Sequence, residues 1–182
     1  MKLLLSITLI LVAIGVSAQE ETAISRIKED FSQWQSLLTS RSVEPQLFYH
    51  YAWGNNYANE RWTKQTLTDT VTLVEEAKVF TKDGLGHLVT ISISSFSGDW
   101  VITTENYYDV NGNLYFIFWT MNTFQAEVPL TVEKRLYFGG NGRPIKTIQS
   151  VYKMNSKAKV DIKFADHDVA VVRRYGDFEF FQ

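Results

Sequence analysis

One stretch, Asp109–Met121, limits the possible folds of this chain more than any other part of it; it reads DVNGNLYFIFWTM. An Asn111-Gly112 pair precedes a nearly continuous apolar and aromatic run over 114–121. Asn-Gly between two β-forming runs predicts a hairpin through a type I′ turn, in which both central residues need φ > 0. A run that is apolar at successive positions is typical of a strand buried on both faces. We therefore expect 114–121 to be the central strand of a sheet.

The side chains of this strand are predicted to divide between two faces, because successive residues of a strand point in opposite directions. The two predicted sets are Leu114, Phe116 and Phe118 on one face and Tyr115, Ile117, Trp119 and Met121 on the other. Each face then needs a covering layer of its own. A helix that precedes the sheet is the candidate for one cover, and the aromatic segment 41–66 is the candidate for the other.

The first eighteen residues have the pattern of an export signal. Lys2 supplies the positive start, 3–16 the apolar core, and 16–18 a small-x-small cleavage site. The apolar core has 14 residues, against about 20 needed to cross the hydrocarbon of a bilayer, so we expect a cleaved signal peptide rather than a membrane anchor. No cysteine is present to carry a lipid. The sequence therefore predicts a single domain over 19–182, with no membrane span after cleavage, that is periplasmic or secreted.

Charge and cysteine content exclude several classes of partner. The chain has 18 basic and 20 acidic residues, a net charge of −2, and removal of Lys2 with the signal gives −3 (17 − 20). This charge is too small to indicate nucleic acid or an anionic membrane as a partner. Because the chain has no cysteine, it forms no disulfides, although an exported protein could contain them. Its stability must come from its core.

The segment Glu20–Thr39 is predicted to be an amphipathic helix. Two glutamates in its first turn suit the positive end of the helix dipole. Its apolar residues recur at spacings of three and four and form one stripe: Ile24, Ile27, Phe31, Trp34 and Leu38. The stripe favours packing on one face of the sheet; the alternative is an exposed helix that binds a partner.

From residue 68 onward the chain has the turn spacing of an antiparallel meander. The pattern aromatic-x-x-(Asn/Asp)-Gly ends at Gly84, Gly112 and Gly142, with further turn signals about midway between them. Such spacing leaves strands of about ten residues, which are long enough to coil. The predicted fold is α+β: one N-terminal amphipathic helix packed on a curved, half-barrel-like antiparallel β-meander of about seven or eight strands. The predicted strands are 70–81, 87–97, 100–110, 114–125, 130–139, 144–154 and 158–165, with a weaker one at 169–175 and a short one at 47–53.

The sequence offers one cluster of catalytic residue types, Asp166-His167-Asp168, which Asp161 could join. These residues suggest a cation-dependent hydrolase as an alternative function, but an ordinary solvated turn has the same composition. The three histidines show no metal-ligand spacing, and no nucleophile motif or phosphate-binding loop is present. The sequence therefore predicts a non-enzymatic protein with no catalytic residue, metal or cofactor.

The remaining candidate for function is a surface rich in aromatic side chains. Segment 41–66 carries Trp53, Tyr57 and Trp62 among several Asn and Gln residues. We expect these rings, together with Trp119, to bind a hydrophobic small ligand or a protein partner in a hollow beside the central strand. Aromatic faces beside amides also suit a carbohydrate bound by Trp53, Tyr57 and Trp62. The competing interpretation is that the rings fill the open end of the sheet, and the oligomeric state is left open.

Overall fold

The computed structural model describes residues 2–52, 62–64, 72–162, 164 and 167–182, with side chains from residue 19 onward. Within these ranges it has one helix, eight strands and two short 3-10 turns. The helix is α1 (Lys2–Thr39), and the 3-10 turns are Tyr175–Asp177 and Glu179–Phe181. The strands are β1 (Gln46–Ala52), β2 (Thr72–Lys82), β3 (Gly86–Ser94), β4 (Trp100–Tyr108), β5 (Leu114–Thr123), β6 (Leu130–Phe138), β7 (Pro144–Lys153) and β8 (Lys159–Val160).

The strands form one antiparallel sheet in sequence order from β1 to β8, and the sheet is not closed. Strand β5 lies inside it, between β4 and β6. Its adjacent residues Phe116 and Ile117 are 3% and 0% exposed, so both faces of the strand are buried. Strands β2 to β7 are nine to eleven residues long. The predicted α+β meander of long strands and the central position of 114–121 are confirmed.

Helix α1 covers one face of the sheet through its predicted apolar stripe. Ile27 and Trp34 are buried. The Phe31 ring meets Tyr107 and Phe116 edge-on, with ring centroids 5.6 Å apart in both pairs. The prediction of an amphipathic helix packed on the sheet is therefore confirmed.

The ends of α1 show how the helix leads into the sheet. The helix begins at Lys2, ahead of the predicted start at Glu20. At its other end Arg41 has a left-handed φ of 52°, which lets the Ser42 amide donate to the Leu37 carbonyl at 3.0 Å and closes the last turn. In the part of the chain that is described, no helix combines the length and apolarity needed to cross a membrane.

The sheet has two unlike ends. The β2–β3, β4–β5 and β6–β7 hairpins lie at one, which we call the turn end, and the connections 95–99, 124–129 and 154–158 lie at the other, the loop end. Helix α1 packs on its face of the sheet toward the turn end. Toward the loop end this face becomes polar, because aligned positions of β3 to β6 carry Ser92, Thr103, Thr120 and Glu133.

The β4–β5 hairpin has a different turn from the predicted type I′. Gly112 has a φ of +75°, but Asn111 is not among the described residues with positive φ. The Gly112 amide donates to the Asp109 carbonyl and the Asp109 amide to the Asn113 carbonyl, both at 2.9 Å, as in a type I turn followed by a left-handed glycine. The Asp109 carboxylate favours this turn, because its Oδ1 accepts the Asn111 and Asn113 amides at 2.9 Å. The type I′ prediction is therefore wrong, although the hairpin is correctly placed.

A β-bulge places two residues of β5 on faces other than those predicted. Tyr107 pairs with Phe116 and Tyr108 pairs with Leu114, so Tyr115 is an extra residue in the ladder. An extra residue interrupts the alternation of side chains. Leu114 therefore packs on the face away from the helix, whereas Tyr115 packs on the helix face, and the predicted faces of these two residues are wrong.

The C-terminal segment, of which residues 164 and 167–180 are described, supplies the second covering layer. Phe178 is buried in the core on the face away from α1. The Tyr108 hydroxyl donates to the Val172 carbonyl at 2.9 Å and attaches the segment to β4. Trp62 packs on the same core, so segment 41–66 contributes at least one side chain. The sequence had indicated only segment 41–66 for this cover.

The predicted strand over 169–175 does not form. The Arg173 carbonyl accepts the Leu114 amide at 3.1 Å, and the Tyr175 amide donates to the Gly112 carbonyl at 2.9 Å. These bonds attach the chain to the β4–β5 hairpin at the turn end, so its backbone groups are paired without extending the sheet at an edge.

The predicted strand over 158–165 is reduced to Lys159–Val160. Beyond it, Phe164 and Val169 pack against the core on the face away from the helix. The described residues after Val160 therefore contribute to the cover of this apolar face and not to the edge of the sheet.

The second layer should be essential for stability. Phe178→Ala removes a 5% exposed ring and should lower the free energy of unfolding by about 3–5 kcal/mol. Val171→Ala, at a side chain of the same segment that is 39% exposed, is the control and should cost at most about 0.5 kcal/mol. Urea denaturation measures both, and equal losses from the two variants would contradict a covering role for the segment.

Candidate functional site

The structure gives positions for two of the four aromatic residues predicted to bind a ligand. Trp53 and Tyr57 lie outside the described residues. Trp62 is partly buried, and its ring centroid lies 5.2 Å from that of Phe180. Trp119 is a buried member of the core on which Trp62 packs. The structure thus brings Trp62 and Trp119 to the same face of the sheet, under the C-terminal segment.

The Trp119 ring is enclosed by groups of the chain itself. It is 3% exposed. The Lys134 ammonium lies 5.6 Å from its centroid, and the His167 ring stacks near it at 6.1 Å. Lys134 also donates a hydrogen bond to the His167 carbonyl. A ligand could reach the Trp119 ring only if His167 or Lys134 moved.

The residues of the hydrolase alternative are only partly described. Asp166 lies outside the described residues, while Asp161 and Asp168 are exposed. The ring of His167 is packed beside Trp119. Among the residues that the structure describes, no three His, Asp or Glu side chains are grouped to hold a metal ion. The hydrolase stays a prediction, because one of its four residues has no described position.

A partly buried acid, Glu105, lies where α1 meets the polar part of the sheet. The Tyr107 hydroxyl donates to Glu105 Oε2. The side-chain amide of Gln35 on the helix lies 3.4 Å from the same oxygen and 3.2 Å from the Tyr107 hydroxyl. The sequence shows Glu105 and Tyr107 on one face of a strand, but the helix residue that completes the cluster is seventy positions away. Sequence spacing therefore could not reveal it.

Burial changes the acidity of this cluster. It raises the pKa of Glu105, and the bond from Tyr107 lowers it in part. Burial, assisted by the charge of Glu105, also raises the pKa of Tyr107, so the phenol keeps its proton and remains a donor. The pKa of Tyr115 is raised by burial as well; its hydroxyl faces the Trp34 indole N–H, but the pair does not reach full hydrogen-bond geometry. Because its pKa is raised, Glu105 holds a proton more readily than a solvated carboxyl does.

A cleft of about 350 Å³ opens at the turn end, between the β4–β5 and β6–β7 hairpins. Arg173, Arg174 and Asp109 line it together with the glycine-rich turn 139–142. Arg173 Nη1 donates to the Gly142 carbonyl, and the Asp109 carboxylate accepts amide groups of its own hairpin. The cleft has the size of a small ligand site. However, Arg173 and Asp109 already bond to groups of the turns around the cleft, so the lining does not indicate one particular ligand.

The C-terminal segment is also attached near this cleft by a stacked histidine. The rings of His87 and Tyr175 lie 3.9 Å apart with their planes at 9°. The Thr81 hydroxyl lies 3.0 Å from His87 Nδ1. Burial lowers the pKa of His87, and the charge of Asp109 opposes the change. The neutral imidazole is therefore favoured, and its position is that of a packing residue.

Exposed apolar side chains concentrate at the loop end. We call five of them the loop-end patch: Leu73, Phe96, Val101, Phe124 and Val128, which are 36–65% exposed. Leu73 and Val101 line one shallow cavity with Ile93. The Phe124 amide donates to the Asp99 carbonyl at 2.8 Å, which joins the connections that carry Phe96 and Phe124. Single exposed apolar residues are ordinary, but a group at one place indicates an interaction surface.

The raised pKa of Glu105 predicts a defined pH dependence. Between the ordinary glutamate pKa of about 4.3 and the higher folded value, the folded state binds more protons, so the free energy of unfolding falls as pH rises. Glu105→Gln removes this cost while its carbonyl still accepts the Tyr107 hydroxyl. It should stabilise the protein by about 1 kcal/mol at pH 7, with the gain shrinking toward pH 4. Urea melts across this range measure it.

The control for this prediction is Glu133→Gln on the same face, where the carboxylate bonds to Arg135 at 2.8 Å. Losing this half-exposed pair should cost at most about 1 kcal/mol and give no gain at pH 7. A stabilisation by Glu105→Gln that is the same at pH 4 and pH 7 would contradict the buried-acid account.

Comparison of the chain with protein families, with curated proteins and with solved structures finds no match. A function for this chain is therefore inferred from its own surfaces. Among the described residues the loop-end patch, the turn-end cleft and the Glu105 cluster are the features that require a functional or structural explanation.

Proposed function

We propose that this chain is an exported, non-enzymatic module that binds a protein partner through the loop-end patch. Export rests on the signal predicted over residues 1–18. The patch is the single observation that carries the binding role, because five large apolar side chains that are 36–65% exposed lie at one end of the sheet. A partner that covers these side chains would remove their apolar surface from water, which is favourable.

A protein partner is favoured over a hydrophobic small ligand by the filling of the core. Helix α1 packs on one face of β5 and the C-terminal segment on the other. The cavity beside Ile27, Phe31 and Phe116 has about 260 Å³, which is below the usual range of ligand sites. The larger cleft at the turn end is lined by Arg173, Arg174 and Asp109, which do not suit a hydrophobic ligand. Five of the large apolar residues that stay exposed lie at the loop end, on the connections and the adjoining ends of the strands, rather than in an enclosed hollow.

The buried acid cluster supports a structural role and not a catalytic one. The Glu105 carboxyl is bonded to Tyr107 and approached by Gln35. These groups join α1 to β4, and they cover the carboxyl that a reaction would have to expose. A cluster that connects two layers explains its burial without a substrate.

Photo-crosslinking tests the proposal. Benzoylphenylalanine replaces Phe124 with little change in shape, and irradiation in the host should give an adduct of one defined mass, because a partner that covers the patch lies against this ring. The matched control is the same residue in place of Val110, which is 59% exposed at the opposite end of the sheet and should give no adduct.

A second photo-crosslinking position tests whether the partner contacts more than one residue of the patch. The probe at Phe96 should give the same adduct as the probe at Phe124, because both residues belong to the patch. Phe124→Ser should then abolish the Phe96 adduct. No adduct at either patch position, or equal adducts at the Val110 control, would reject the proposed function.

A further inference from the structure

Among the residues that the structure describes, the outer edge of β7 has no strand beside it over most of its length. Strand β8 pairs with only Val151 and Tyr152, although β7 runs from Pro144 to Lys153. At the other edge of the sheet, Tyr49 of β1 is bonded on its outer side to Thr63. Among the described strands, β7 therefore offers the longest run of backbone without a neighbouring strand.

The hydrogen-bond alternation identifies which β7 groups point outward. The Met154 amide donates to the Pro129 carbonyl at 2.9 Å, so the Leu130–Lys153 pair beside it is a non-hydrogen-bonded pair. Counting back along the ladder, Lys146, Ile148 and Ser150 bond to β6. Thr147 and Gln149 then direct their N–H and C=O groups away from β6, toward the open edge.

The edge is basic within a mildly acidic protein. From Arg143 to Val160 the sequence has five cations and no Asp or Glu, while the whole chain has a net charge of −2. Two of the cations, Lys146 and Lys153, lie on β7 and are exposed. An unpaired edge with this charge is matched by an extended segment that is rich in acidic residues.

The same charge disfavours a second copy of the chain on this edge. Two β7 strands paired with each other would bring the cations of both copies together, and lysines on edges oppose such pairing. A neutral partner strand added to this edge would form only the backbone hydrogen bonds. An acidic strand gains both the backbone bonds and the charge attraction.

We propose that the open edge of β7 binds an acidic, extended segment of the partner as an added antiparallel or parallel strand. The inference rests on the proposed function, because it gives the same partner a second contact. Thr147 and Gln149 supply the backbone donors and acceptors, and Lys146 beside them selects for acidic side chains.

The test uses isotope-labelled protein, purified after processing by its host, and two synthetic decapeptides. One alternates valine and glutamate, and the other alternates valine and lysine. Amide NMR shifts of Thr147 and Gln149 should change with the acidic peptide, and the apparent Kd should be at least about tenfold weaker for the basic one. Raising the salt concentration should weaken binding of the acidic peptide.

Variants at one position separate backbone pairing from side-chain contact. Gln149→Pro removes an outward N–H that β6 does not use, and it should weaken binding of the acidic peptide about fivefold. Gln149→Ala keeps the N–H and should leave the Kd unchanged. Lys146→Glu, which leaves the backbone intact, should weaken binding about threefold to tenfold and remains informative if the proline variant does not fold.

The outcomes distinguish this inference from the proposed function. Equal binding of both peptides, amide shifts outside β7, no binding, or equal effects of proline and alanine at Gln149 would overturn the edge inference. None of these results would change the crosslinking expected at Phe124. Loss of the Phe124 adduct would reject the patch, whatever the edge binds.

Discussion

The burial of β5 on both faces is the constraint on which the rest of the structure depends. Each large apolar side chain buried along it contributes about 1.5–3 kcal/mol, so neither face can be left in water. One sheet with such a strand needs two covering layers. Helix α1 provides the first with Phe31 against Phe116, and the C-terminal segment provides the second with Phe178.

The features of the fold that could be predicted from sequence are those that local chemistry specifies. The spacing of Gly84, Gly112 and Gly142 located the hairpins because a left-handed glycine is needed in each turn. The stripe in α1 could be predicted for the same reason, since its period is a property of the helix alone. The turn type depended on the Asp109 side chain, which a dipeptide signal does not include.

What could not be predicted depends on contacts between distant residues. A bulge of one residue, Tyr115, changes the face of Leu114, and no residue type in that run marks it. Lys134 shows the same limit: it lies between Val132 and Leu136 in a core position and is 5% exposed. Its charge is tolerated because its ammonium lies over Trp119 and donates to a carbonyl, and the sequence does not reveal either neighbour.

The two ends and two edges of the sheet differ in how completely the described chain covers them, and the proposed binding surfaces lie where this cover is least complete. At the turn end the C-terminal segment bonds to the β4–β5 hairpin, and at the β1 edge Thr63 pairs with Tyr49. The loop end and the β7 edge have no comparable cover among the described residues. The C-terminal segment cannot cover them as well, because its apolar residues, among them Phe164, Val169 and Phe178, pack on the second face of β5. The same burial that stabilises the centre of the sheet therefore leaves one end and one edge available to a partner.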